Sequence, residues 1–172
     1  MNNPNPNERV AACIQAVEKL ARQSLPPDDF LRQFLAFVME GSQAPSGAIW
    51  GLAENGIRLV GEQNIAATEI LQNQASTQKN SKLLTEVVNN SQTIAIGPAS
   101  TKAELRPAPL VVVVSPIFKE KQCAAILQLF FPETISDEAQ KGLMQFAEHL
   151  SGLASLHLSG KMASPIAVNS KA

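Results

Sequence analysis

The apolar positions recur with a helical period at both ends of the chain. At the N-terminal end, two amphipathic helices are predicted, one over residues 8–24 with Asn7 as its cap and one over residues 27–41. At the other end, Ser136 is the expected cap of a long helix, because apolar residues follow it at intervals of three and four. The two terminal helices carry a heptad-like seam that favours pairing with a second copy. The residues of this seam are Val10, Ile14, Val17, Leu143, Leu150, Leu153 and His157.

Between the helical ends lie runs of β-branched and aromatic residues that predict strands. Residues 46–53 and 57–61 are expected to pair across the turn 54–56, because Asn-Gly is a strong hairpin signal. The long apolar stretch 109–131 is interrupted by the charged segment 119–122, which predicts a second antiparallel hairpin. Neither of its halves alternates between apolar and polar residues, and this is typical of strands covered on both faces.

The middle of the chain is more polar. Residues 65–90 are expected to be helix or helical turns, with a break or a mobile segment in the polar stretch 73–81. A short strand is expected over residues 92–96, followed by a loop over residues 97–108 that crosses the sheet.

This order of elements predicts one α/β (α+β) domain over residues 8–159. Its central antiparallel sheet is expected to have five or six strands, with the N- and C-terminal helices on one face and a loop and helix cover on the other. Residues 1–7 are expected to be disordered, and residues 160–172 are expected to be a flexible tail or linker.

Composition fits a folded domain without a strongly charged surface. Of the 172 residues, 45% are hydrophobic and 17% are charged, as is typical of globular proteins. The formal net charge of -1 gives no field that would attract nucleic acid or an anionic membrane. Aromatic residues make up only 5% of the chain, which argues against a stacking platform for single strands. We therefore expect no nucleic-acid partner and no direct membrane insertion.

Residues that would carry covalent or metal chemistry are few. Cys13 and Cys123 are far apart and no secretory signal precedes them, so we expect reduced thiols in the cytoplasm. Neither cysteine belongs to a Cys-x-x-Cys or Cys/His cluster, and His149 and His157 lack a third ligand, which argues against a metal site. No Ser/His/Asp set or glycine-rich phosphate loop is recognisable. We expect neither enzymatic activity nor a cofactor.

Five side chains are candidates for binding a small molecule. Gln128 is the only polar residue in the second half of the long hairpin, so it needs a hydrogen-bond partner if it is buried. Trp50 would form the floor of a pocket, and Glu62 and Asn64 follow the second strand, where they could contact a ligand. Arg106 of the long loop would pair with an anionic group of the ligand. The sequence equally allows structural roles: core packing for Trp50, an internal partner for Gln128, and solvation for the other three.

Three segments resemble the GAF domain family. Residues 125–129 (Ala-Ile-Leu-Gln-Leu) resemble the Gly-Val-Leu-x-Leu strand of these domains, with Ala125 where glycine is usual. Residues 45–50 resemble their first strand and residues 136–150 their closing helix, so the resemblance covers residues 24–158. It implies a regulatory module that binds a small molecule on the side opposite the terminal helices, or that forms a homodimer, and that acts on an output domain or partner protein.

The chain departs from several specialised GAF domains. Residues 62–108 contain no cysteine, whereas chromophore-bearing relatives need one there and the relatives that reduce free methionine sulfoxide use several. The Asn-Lys-x-Phe-Asp-Glu signature of cyclic-nucleotide-binding relatives is absent. More narrowly, residues 25–35 and 58–65 resemble GAF modules that precede the membrane anchor of secretion-pump adaptor subunits.

Two hypotheses follow from the sequence. The first is a non-catalytic sensory module that dimerises through its terminal helices and binds a small molecule beneath residues 62–108. The second is a purely structural dimerisation module whose pocket is filled by its own side chains, either by itself or as part of a secretion-pump adaptor chain.

Overall fold

A five-stranded antiparallel sheet separates two helical layers in the computed structural model, which describes residues 5–161. The helices and strands in chain order are α1 (Pro6–Ala21), α2 (Pro27–Ser42), β1 (Ser46–Ala53), β2 (Gly56–Gln63), α3 (Gln74–Asn90), β3 (Ile94–Ile96), β4 (Val111–Lys119), β5 (Gln122–Phe131) and α4 (Asp137–Leu158). The strand order across the sheet is β2-β1-β5-β4-β3. The predicted fold class is therefore confirmed, with five strands.

The β4–β5 hairpin lies at the centre of the sheet, as predicted. Its pairing runs from Val111 opposite Phe131 to Lys119 opposite Gln122, and β1 pairs with the other edge of β5. Every residue from Val111 to Ile117 is buried, because alternate side chains enter cores on opposite faces of the sheet. Burial on both faces explains why this stretch does not alternate between apolar and polar residues.

The terminal helices cover one face together with α2. Phe30 and Phe34 of α2 stack in this core and have no exposed surface, so each side chain contributes about 1.5–3 kcal/mol through burial. The helices pack on Val111, Val113 and the alternate residues of β5.

The opposite face is covered by α3 and the loops around it. Residues 73–81 were predicted to interrupt the helix, and this prediction is wrong. The Asn73 side chain caps α3 by accepting a hydrogen bond from the Ser76 amide at 3.2 Å, and the helix continues without a break to Asn90. Its first half is polar because most of that half is exposed to solvent.

The chain ends differ from the prediction at several residues. Asn5, and not Asn7, caps α1 by accepting a hydrogen bond from the Glu8 amide at 2.8 Å, and Pro6 occupies the first helical turn. Residues 5–7 thus form the cap and the first turn of α1, whereas residues 1–4 and the predicted tail from residue 162 lie outside the described residues. No helix within residues 5–161 is both long and apolar enough to cross a membrane.

Candidate functional site

Three buried side chains form a hydrogen-bonded chain between the sheet and α3. The indole Nε1 of Trp50 donates to Gln128 Oε1 at 2.9 Å, and Gln128 Nε2 donates to Asn80 Oδ1 at 2.7 Å. Because an indole N–H only donates, the oxygen of Gln128 must face Trp50 and its amide nitrogen must face Asn80. We call these three residues the Trp50–Gln128–Asn80 chain.

The surroundings of this chain are apolar. Gln128 has no exposed surface, and Trp50 and Asn80 are 7% and 3% exposed. Val114 lies directly opposite Gln128 on β4, and Ile126 lies opposite Trp50 on β5. An amide that lost its partner here would be left without water, which costs about 1–3 kcal/mol. The Trp50–Gln128–Asn80 chain therefore fixes α3 to the sheet and occupies the space between them.

The sequence named Gln128 and Trp50 as candidates for ligand binding, but it did not indicate Asn80. This residue lies in the polar stretch 73–81, whose other residues are mostly exposed. One signal was available, because Asn80 falls three and four residues before Leu83 and Leu84, on the apolar side of the helix.

Glu62 and Asn64 stabilise a turn and do not approach Gln128. Glu62 Oε2 accepts a hydrogen bond from the Ile65 amide at 2.9 Å, and Asn64 Nδ2 donates to the Pro45 carbonyl at 3.1 Å. Both residues are exposed. These contacts fix the exit of β2 against the start of β1.

Arg106 also has structural partners. Its Nη1 donates to Glu133 Oε2 at 2.7 Å and to the Leu110 carbonyl at 3.0 Å, and its side chain is only 14% exposed. Arg106 thus ties the long loop to the residues after β5. Of the five sequence candidates, the structure brings together Trp50 and Gln128, and the other three form their hydrogen bonds elsewhere.

The seam predicted on the terminal helices requires correction at two of its seven positions. Val17 and Leu150 have no exposed surface, since both lie in the core between the helices and the sheet. The His157 ring stacks on Phe30 with centroids 3.9 Å apart, and its Nδ1 lies 2.8 Å from the Ala21 carbonyl oxygen, to which it donates. His157 therefore makes contacts within the chain but stays half-buried, whereas Val17 and Leu150 are not available to a second copy.

Four further seam residues also keep partial exposure. Val10, Ile14, Leu143 and Leu153 are half-buried along α1 and α4. Leu156, which the sequence prediction did not include, is 40% exposed on the last turn of α4. A dimer contact through the terminal helices remains a prediction that rests on these five side chains.

Neither cysteine is in a setting that favours thiolate. Burial, followed by the nearby carboxylate of Glu40, raises the pKa of Cys13 to about 11, and burial also raises the pKa of Cys123. The Cys13 thiol donates to the Phe37 carbonyl at 3.2 Å. Within residues 5–161, no group of three or more His, Cys, Asp or Glu side chains is placed to hold a metal ion.

Comparison with known proteins gives likenesses of structure only. No protein-family model matches the chain, and no curated protein matches it in sequence. A GAF domain of A. aeolicus nlh2 in an inactive state superposes with a TM-score of 0.66 at 11% identity, covering 91% of this chain and 99% of that one. The phycocyanobilin-bound GAF domain of a cyanobacterial phytochrome gives a TM-score of 0.58 at 14% identity, covering 93% and 97%.

An enzyme is also among the similar structures. The free methionine-R-sulfoxide reductase of Neisseria meningitidis, in complex with its substrate, gives a TM-score of 0.65 at 11% identity, covering 94% of each chain. At these identities the likeness concerns the fold alone. The chain has the GAF fold, which confirms the resemblance seen in the sequence at that level.

Proposed function

We propose that this GAF-fold chain is a non-catalytic sensory or regulatory module. It binds a small molecule between the sheet and residues 62–108, and it forms a homodimer through α1 and α4. The observation that carries the proposal is the Trp50–Gln128–Asn80 chain, a buried polar group set in the apolar layer beneath α3.

The chain of hydrogen bonds defines what a ligand must offer. A molecule that enters beneath α3 separates Asn80 from Gln128, so it has to accept a hydrogen bond from Gln128 Nε2 in place of the Asn80 oxygen. Otherwise a buried donor is left unpaired at a cost of about 1–3 kcal/mol. A small molecule with a carbonyl oxygen or an unprotonated ring nitrogen meets this requirement, whereas a purely apolar molecule does not.

The sheet offers a physical connection between the ligand side and the terminal helices. Val112 and Val114 of β4 face the α3 layer, whereas Val111 and Val113 of the same strand face α1, α2 and α4. A displacement of α3 that moves β4 therefore changes the packing of the helices on the other face. Coupling requires that the ligand prefers one arrangement of these helices over the other.

The absence of catalysis in this proposal rests on the cysteines. Redox chemistry at a thiol needs the thiolate, and burial keeps both thiols protonated at neutral pH. Cys13 lies among the helices on the face opposite α3, and residues 62–108 contain no cysteine. A thiol pair on the ligand side, which a thiol-based reductase would require, is therefore not available.

NMR spectra of the backbone amides and the Trp50 indole, recorded with a panel of small metabolites, test whether a ligand binds beneath α3. Trp50 is the only tryptophan, so its indole N–H resonance and fluorescence report on the Trp50–Gln128–Asn80 chain alone. We expect a ligand that shifts the Trp50 indole and the α3 amides together and then, more weakly, amides of α1 and α4. If no compound shifts the α3 residues while the chain remains a dimer, the purely structural module becomes the better description.

A variant at Asn80 distinguishes entry beneath α3 from binding at the surface. Asn80→Ala removes the internal acceptor that the ligand has to displace, so a ligand that takes its place binds more tightly, by up to about tenfold. The matched control Asn89→Ala, on the exposed side of α3, leaves the affinity unchanged. Weaker binding to Asn80→Ala would contradict displacement.

Sedimentation of two variants, each with a charge at an exposed leucine, tests whether α1 and α4 form the homodimer contact. Leu156 on α4 is 40% exposed and Leu71, which precedes α3, is 47% exposed. Leu156→Glu is expected to give monomer, because a charge buried at the dimer contact would be unpaired. Leu71→Glu is expected to leave the dimer intact. A monomeric wild-type chain at tens of micromolar would refute the homodimer directly.

A further inference from the structure

A cavity opens at one end of the sheet, with no residue of α3 in its lining. It has a volume of about 510 Å³ and lies where the segment between α1 and α2 meets the last turn of α4 and the ends of β1 and β4. None of the three residues of the Trp50–Gln128–Asn80 chain lines it. The volume falls within the ~300–1,000 Å³ that is usual for small-molecule sites.

The charges around this cavity are mostly positive. Arg22, Arg58 and Lys119 line it together with one acidic residue, Asp28. Arg58 Nη2 contacts both oxygens of Asp28 at 2.8 and 2.9 Å, so these two charges offset each other. Within residues 5–161, Arg22 and Lys119 have no carboxylate within 4.0 Å. In a chain whose net charge is -1, this is a local excess of two positive charges.

The rest of the lining is mixed, with Gln23 and Ser24 beside several apolar residues. The apolar residues include Leu25, Leu31, Leu52 and Leu158, which come from four different parts of the chain. The cavity therefore combines an apolar surface with unpaired cations, which is the arrangement that recognises an amphiphilic anion.

His157 forms a wall of this cavity that is already fixed in the free protein. Its ring is held by the stack on Phe30 and by the hydrogen bond from Nδ1 to the Ala21 carbonyl. A wall held in place before binding does not have to be ordered by the ligand, and this favours affinity.

We propose that this cavity binds an aliphatic carboxylate of medium chain length. The carboxylate group is held by Arg22 and Lys119, and the hydrocarbon chain lies on the leucines that line the cavity. The site is independent of the proposed sensory function, because it lies apart from α3 and shares no residue with the Trp50–Gln128–Asn80 chain.

Titration calorimetry and methyl spectra with sodium octanoate test this site. We expect saturable binding at millimolar octanoate, with shifts at Leu31 and Leu158 and none at the Trp50 indole. The double variant Arg22→Gln/Lys119→Gln is expected to bind octanoate at least about tenfold more weakly, because each lost charge-assisted contact weakens binding. Both side chains are exposed, so the variant keeps its fold, as its thermal unfolding will verify.

Two controls make the result specific. Lys79→Gln, an exposed change on α3 outside this cavity, is expected to leave octanoate binding unchanged. The uncharged 1-octanol is expected to bind at least about tenfold more weakly than octanoate, since it does not pair with the cations. Equal binding of octanol and octanoate, an unchanged affinity in the double variant, or shifts confined to Trp50 and α3 would each overturn the proposal.

Discussion

Asn80→Ala measures what the Trp50–Gln128–Asn80 chain contributes to stability. The substitution removes the acceptor of Gln128 Nε2 at a position where Gln128 has no exposed surface, so water does not replace the lost partner. The unpaired donor costs about 2 kcal/mol. The higher helix propensity of alanine recovers only a few tenths of this, roughly 0.5 kcal/mol. For a chain of this size, a net loss of about 1.5 kcal/mol lowers the Tm by about 3–6 °C.

Urea unfolding of Asn80→Ala beside Asn89→Ala isolates the buried contact. Both substitutions make the same chemical change on α3, but Asn89 is exposed and is expected to change the free energy of unfolding by less than about 0.5 kcal/mol. In the background of Gln128→Met, which removes the donor, Asn80→Ala is expected to cost at least about 1 kcal/mol less than in the wild type. Equal costs in the two backgrounds, or equal effects of the two asparagine substitutions, would refute the reasoning.

Three further predictions concern the helical face. A Cβ at Gly41 would lie 2.6 Å from Cys13 Sγ, so Gly41→Ala is expected to lower the free energy of unfolding by about 1–3 kcal/mol. A Cβ at Gly142 meets nothing within 4 Å, so Gly142→Ala is expected to raise the free energy of unfolding by up to about 1 kcal/mol. A denaturant titration that ranks the two variants in the opposite order would contradict this packing. Calorimetry is expected to show that His157→Ala lowers the free energy of unfolding by about 1–3 kcal/mol, because it removes the stack on Phe30 and the hydrogen bond to Ala21. His149 is exposed, so His149→Ala is expected to change the free energy of unfolding very little. Equal effects of the two substitutions would contradict these contacts of His157. The folded-state pKa of Cys13 is raised from 9.0 to about 11, so the free energy of unfolding is expected to fall as pH rises across that window. The fall is expected to be less steep in Cys13→Ala, and parallel curves for the two proteins would contradict the role of Cys13.

The elements with long apolar runs or stripes were predictable from the sequence. The hairpin of β4 and β5 and the final helix α4, capped by Ser136, were predicted because long apolar patterns leave few alternatives. The cap of α1 was misplaced by two residues, since Asn5 and Asn7 are equally good caps and only the Pro6 between them favours the earlier start.

The tertiary partners of individual residues were not predictable. A stripe of apolar residues on a helix is the same whether it packs on its own sheet or on another copy, so Val17 and Leu150 were assigned to the wrong contact. Gln128 was recognised as a polar residue in a buried strand, but its partner Asn80 is 48 residues away in sequence. Such a hydrogen bond can be identified only once the fold is known to place α3 over β5.

Native-state hydrogen exchange of α3 tests the central claim most directly, since a ligand can enter only if α3 opens while the rest of the chain stays folded. Beneath α3, the sheet is contacted by one amide and a few apolar side chains, whereas three helices cover its other face. We predict that the amides of residues 80–87 exchange through openings that require less free energy than global unfolding, while those of residues 112–114 and 127–129 exchange only through global unfolding. Exchange of α3 and the central strands at the same free energy would contradict the account.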